Sequence, residues 1–103
     1  MSNLPKLVRD KIPELISESG RTCKTRNANP EEIKSLLFNK LKEESEEFFE
    51  RPCLEEAADM YEVFLAILNN WELDFASVVN HAYYKREERG SFNNKIVLED
   101  LGN

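Results

Sequence analysis

The chain is poor in the residues that build metal frameworks and disulfide scaffolds. Of its 103 residues two are cysteines, Cys23 and Cys53, and one is a histidine, His81. With no CxxC pair and no histidine cluster, the common zinc frameworks are excluded, and two distant thiols make no disulfide scaffold. Glycine is scarce, at three residues, and no two segments read as a strong strand pair. No apolar run approaches the roughly 20 residues that span a bilayer. No signal-peptide pattern opens the chain, so the expectation is a cytoplasmic protein with no membrane partner. Basic charge is in the minority: 14 Lys and Arg face 20 Asp and Glu, for a net charge of -6. This balance argues against nucleic-acid binding through a basic surface as the main activity.

What is present is charge, and it is segregated. Hydrophobic residues make up 41% of the chain and charged residues 33%, enough for one packed domain with a heavily charged surface. A core of this size supplies limited stability, which favours self-association. Residues 1–29 carry six Lys and Arg against three acids, whereas residues 31–62 carry eleven acids against four Lys and Arg. The stretch Lys85–Arg89 is basic-rich again.

Four helices are expected. The first starts near Pro13 and stops at Gly20, with proline at its entry and glycine at its exit. Residues 21–29 are polar and aperiodic and form a loop. The second has Asn29 as cap and Pro30 as first residue, and Arg51-Pro52 breaks it after about Glu50. The third runs from about Leu54 to Asn70. The fourth has Asp74 as its cap and ends at Gly90. In the tail, Lys95-Ile96-Val97-Leu98 reads as a short strand.

Helical spacing places several carboxylates against the pattern of a solvated face. Ile33, Leu36, Leu37, Leu41 and Phe48 form the apolar stripe of the second helix, and about 100° per residue puts Glu44 near its centre with Glu47 inside it. On the third helix Ala57, Ala58, Tyr61, Phe64, Leu65 and Leu68 form one apolar face, and Met60, Val63 and Ile67 extend it. A helix apolar over most of its circumference is expected to be central and contacted on several sides. Glu56 and Asp59 nevertheless lie on its first turns, with Glu62 close beyond. Carboxylates three residues apart on one helix can reach a common cation, and two helices that each carry such a pair resemble the way bundles build metal sites. All-oxygen donors select Mg²⁺ or Mn²⁺ over zinc. The same pattern also fits acids paired with Lys and Arg. On the fourth helix Phe75, Val78, Val79, Ala82 and Tyr83 form the stripe. Arg86 and Arg89 continue it, with Lys85 at its edge, as a dipole-favoured end or as a basic rim for phosphates.

The segment Lys40-Leu41-Lys42-Glu43-Glu44-Ser45-Glu46-Glu47-Phe48, followed by Glu55-Glu56-Ala57-Ala58-Asp59, resembles the ExxE…ExxD signature of the all-α nucleotide pyrophosphohydrolases. These are the MazG-like and phosphoribosyl-ATP pyrophosphohydrolase-like proteins. The opening Lys6-Leu7-Val8-Arg9-Asp10-Lys11-Ile12-Pro13 and the closing Lys85…Arg89-Gly90-Ser91-Phe92…Ile96-Val97-Leu98 resemble the flanks of a small single-domain branch. The resemblance covers nearly the whole chain apart from the 21–29 loop. Two departures stand out. Eight residues separate Glu47 from Glu56, fewer than in most of the superfamily, so a substrate loop there is not expected. Ser91 stands where the branch usually has a second glycine.

The resemblance implies an all-α, four-helix MazG-like bundle spanning residues 1–103 as one domain. It also implies completion by a homodimer or higher homo-oligomer and a short C-terminal extended segment. It implies Mg²⁺, with Mn²⁺ as an alternative, held by Glu44, Glu47, Glu56 and Asp59. The implied activity is cleavage of a nucleoside triphosphate between the α and β phosphates, giving monophosphate and pyrophosphate. Glu43 and Glu62 are alternatives for an outer ligand or base beside Glu44. Arg9, Lys11, Lys85 and Arg89 are expected on the phosphates, and Phe92 either stacks on the base or anchors the tail. Two other readings stand beside this one. The first is a nucleotide-binding regulatory module of the same fold with little turnover. The second is a non-catalytic helical interaction protein whose acids are salt-bridged.

Overall fold

In a computed structural model that describes residues 4–102, the chain is all-helical, with four helices and no strand among the described residues. Helix α1 spans Ile12–Glu18, α2 Ile33–Glu50, α3 Leu54–Asn70 and α4 Phe75–Arg89. No helix among the described residues is long and apolar enough to cross a membrane.

Local chemistry explains where each helix starts and stops. Pro13 sits in the first turn of α1. The helix closes as Gly20 donates to the Ser17 carbonyl and Arg21 to the Ile16 carbonyl, with Gly20 at φ 88°, a left-handed position that glycine adopts without a Cβ penalty. Ahead of α2, Asn29 and Glu32 cap each other. The Glu32 N–H donates to Asn29 Oδ1 at 3.1 Å, and the Asn29 N–H donates to Glu32 Oε2 at 3.0 Å, a reciprocal capping box. The expected helix start is thus corrected: Asn29 closes the turn Pro30–Glu32, and α2 begins three residues later at Ile33, with Glu32 at its N-cap position and no side-chain cap of its own. The two helices α2 and α3 are joined only through Arg51, Pro52 and Cys53, whose carbonyl accepts the Ala57 N–H at 3.0 Å.

Helix α3 closes through Glu72, a non-glycine residue at φ 54°, with the Leu73 N–H donating to the Leu68 carbonyl at 2.9 Å. Asp74 caps α4 as expected, its Oδ2 accepting from both the N–H and the hydroxyl of Ser77 at 3.0 Å. Gly90 ends α4 at φ 90°. The tail departs from expectation: Lys95–Leu98 forms no strand, because a lone strand has no ladder partner to hydrogen-bond with.

The chain divides into two compact units, one ending at Ile67 and the other beginning at Leu68. In the first, Leu37 of α2 and Val63 of α3 are buried, while Ile33, Leu36, Leu41 and Phe48 are half-buried along the expected stripe. The expectation that α3 is contacted on several sides is corrected. Tyr61 is 51% exposed, and Phe64 and Ala58 are exposed as well. Within that unit, among the described residues, α2, the seven-residue α1 and the opening segment that carries Arg9 onto Asp59 are too little chain to enclose a helix that is apolar nearly all round. In the second unit Leu68 is buried, and of the α4 stripe only Val78 is even half-buried.

Candidate metal centre

Glu44 follows Leu37 by seven positions, two helical turns along the same face of α2. It is buried with that face, at 8% exposure. On α3, Glu56 precedes buried Val63 by the same interval, and Asp59 lies between them. The short Arg51–Cys53 connection returns α3 to α2 with these faces together. Glu44, Glu56 and Asp59 each bring one carboxylate oxygen within 4.8 Å of the others.

Each of the three acids has one cation on one of its oxygens. Lys40 Nζ lies 3.3 Å from Glu44 Oε2, Arg51 Nη2 lies 3.4 Å from Glu56 Oε2, and Arg9 Nη2 lies 2.8 Å from Asp59 Oδ1. The other oxygens of the two glutamates differ. Glu44 Oε1 and Glu56 Oε1 are buried and have no hydrogen-bond partner. A buried carboxylate oxygen without a donor is costly, and a hard cation meets that need directly. The donor set, oxygen only and anionic, fits Mg²⁺ or Mn²⁺.

The fourth expected ligand, Glu47, stands apart. It lies in the last turn of α2, where Phe48 alone stays half-buried and Phe49 and Glu50 are exposed, and it is exposed rather than within the buried stripe, because packing narrows to the Phe48 position at this end of the helix. It does not share the trio's convergence. Its carboxyl is nonetheless pushed above the ordinary value, first by loss of solvation and then by the charges of Glu44, Glu43 and Glu56, with Lys40 opposing.

The remaining expected residues are distributed as follows. Glu43 is clamped by two ammonium groups, Lys6 Nζ at 3.0 Å and Lys40 Nζ at 3.3 Å, so its lone pairs are engaged. Glu62 is exposed on α3. Arg9 is on a carboxylate of the trio, and Lys11 is exposed at the entry to α1. Lys85, Arg89 and Phe92 belong to the second unit, all exposed, with Arg89 Nε 3.9 Å from Glu88 Oε1.

Lys6, Lys40 and Arg51 complete the electrostatics and carried no role in the sequence reading. The three- and four-residue steps from Lys40 to Glu43 and Glu44 were a signal for that pair. Lys6 is 37 residues from Glu43, and no local pattern announces such a contact. Lys6 and Lys40 also line a cavity of about 150 Å³ with Pro5, Leu36, Asn39 and Glu43. No protein-family model, curated protein or solved structure matches this chain.

Proposed function

We propose that the protein is a Mg²⁺-dependent nucleoside triphosphate pyrophosphohydrolase with a MazG-like bundle, acting in nucleotide-pool control in the cytoplasm. The observation that carries this reading is the convergence of Glu44, Glu56 and Asp59 with two buried carboxylate oxygens left unpartnered. Those three residues hold the cation, and Glu47, whose charge is already disfavoured by its neighbours, joins them when positive charge arrives. Bound there, Mg²⁺ supplies charge neutralisation for the polyphosphate and lowers the pKa of a water at the α-phosphorus. Lys40, Arg51 and Arg9 hold the carboxylates in place from the outside. Arg9, on the Asp59 carboxylate, is the cation placed to reach phosphate oxygens, where Arg offers a bidentate contact, and Lys11, exposed at the entry to α1, is assigned to the phosphates by the resemblance alone. The exposed apolar side chains of α3, Tyr61 and Phe64 among them, are covered in a homodimer or higher assembly.

The test is incubation with Mg²⁺ and a panel of nucleoside triphosphates, with pyrophosphate resolved from single phosphate. Pyrophosphate plus monophosphate, abolished by Glu44→Gln, is the expected result. Single phosphate as product overturns the scissile bond assigned here. Nucleotide and metal binding without product favours the regulatory-module reading.

A second reading rests on the three ion pairs themselves, which fit a helical interaction protein whose acids are simply salt-bridged. It requires that no divalent cation binds. It also requires that neutralising Glu44, Glu47, Glu56 and Asp59 together leaves the fold intact or more stable.

A further inference from the structure

The tail of the second unit is apolar, exposed and unpaired. Phe92 is 96% exposed, Ile96 84% and Leu101 87%, with Val97 and Leu98 close to these values. A turn precedes it, closed by the Lys95 N–H on the Phe92 carbonyl at 3.1 Å. Beyond that turn, among the described residues, no backbone N–H or C=O of Ile96–Leu101 is paired within the chain. An apolar segment with a free row of backbone donors and acceptors is a template for strand pairing.

The order of charges in this segment states which strand fits it. Lys95-Ile96-Val97-Leu98-Glu99 is complementary to itself when reversed. We propose that the tails of two copies of this chain pair as antiparallel strands centred on Val97. In that register Val97 faces Val97 of the second copy and Ile96 faces Leu98, while Lys95, which leaves the turn at a left-handed φ of 56°, takes up extended backbone on pairing and faces Glu99. The two-fold axis repeats each of these pairs. Side chains alternate along a strand, so Ile96 and Leu98 of both copies share one face of the ribbon. The Val97 pair lies on the other face between two opposite-charge pairs, which are favourable cross-strand neighbours. A parallel in-register pairing sets Lys95 against Lys95 and Glu99 against Glu99 and is disfavoured for the same reason. A two-stranded ribbon alone is marginal. On α4, within the same unit, Val79, Tyr83 and Tyr84 are exposed and offer further apolar area to the second copy.

The experiment is disulfide trapping in the full chain with Cys23→Ser and Cys53→Ser removing the native thiols. Directly opposed antiparallel residues have Cα atoms about 4.5–5.5 Å apart, inside disulfide range, whereas diagonal neighbours about 7–8 Å apart lie at or beyond its limit. Val97→Cys is therefore expected to give a covalent dimer on mild oxidation. Ile96→Cys alone and Leu98→Cys alone are expected to give little, and the two mixed together to give a covalent pair. Lys95→Glu is expected to weaken Val97→Cys trapping by roughly tenfold, since it sets like charges opposite each other twice over, and adding Glu99→Lys to restore it. Equal trapping at all three positions, no trapping at Val97→Cys, or a charge reversal without effect overturns the proposal. Each variant is checked for unchanged helical content. A chain that is dimeric by mass yet does not trap at position 97 overturns the tail pairing alone and leaves assembly through the helices standing.

Discussion

Glu32 and Glu44 are carboxylates of the same chain, one helix apart in role. Glu32 is held by Arg26 and by the Asn29 N–H, and those hydrogen bonds lower its carboxyl from 4.5 to about 2. Glu44 is buried, shares Lys40 with Glu43, and keeps one oxygen without a donor. The first kind of carboxylate stabilises its own helix end, and the second stores an unmet need for a cation. A pH prediction belongs to Glu32. Its folded value lies below its unfolded one, so its contribution is fully present above about 4.5 and is lost as pH falls toward about 2. Carboxyl NMR should place the Glu32 midpoint near 2, and Arg26→Ala should return it toward 4.5. A wild-type midpoint near 4.5 sinks the capping account.

At the scale of elements, the helix ends carry adjustable energy of both signs. Glu72 occupies a left-handed position at φ 54° that costs a side-chain-bearing residue about 1 kcal/mol. Glu72→Gly is expected to raise stability by up to about 1 kcal/mol, or about 4–8 °C in Tm for a chain of this size. Asp74→Ala removes the acceptor of two Ser77 hydrogen bonds and is expected to lower stability by about 1 kcal/mol. Thermal unfolding followed by far-ultraviolet circular dichroism checks both signs. Equal effects would mean that the two ends of the α3–α4 connection are not governed by cap geometry.

For the whole molecule, stability and the metal reading are linked. Among the described residues few side chains are buried: Leu37, Val63, Leu68 and Glu44. A protein with so small a core gains a large fraction of its stability from any ligand that binds only the folded state. Mn²⁺ or Mg²⁺ at a hundred times its dissociation constant should add about 2.7 kcal/mol, read as a rise in Tm by calorimetry. Asp59→Asn should remove most of that rise. A Tm indifferent to divalent cations favours the salt-bridged reading, because three carboxylates already neutralised by Lys40, Arg51 and Arg9 gain nothing from a further charge.

Much of the architecture was legible in the chain before any coordinates. Proline at the entry of α1, the Arg51-Pro52 break and the Asp74 cap each act over a few residues, so their patterns are local; the start of α2 was read three residues early, because the Asn29–Glu32 pair closes a turn ahead of the helix. The burial of Glu44 was legible for the same reason, since seven residues from Leu37 returns to one helix face. The position of Glu47 was not: the helical angle puts it inside the stripe, but how far packing extends along α2 depends on neighbouring elements. The convergence of Glu44 with Glu56 and Asp59, and the reach of Lys6 and Arg9 to acids 37 and 50 residues away, depend on how α2, α3 and the opening segment meet. Periodicity assigns a residue to a face of its own helix. Packing between elements settles which faces meet, and therefore which carboxylates share a cation.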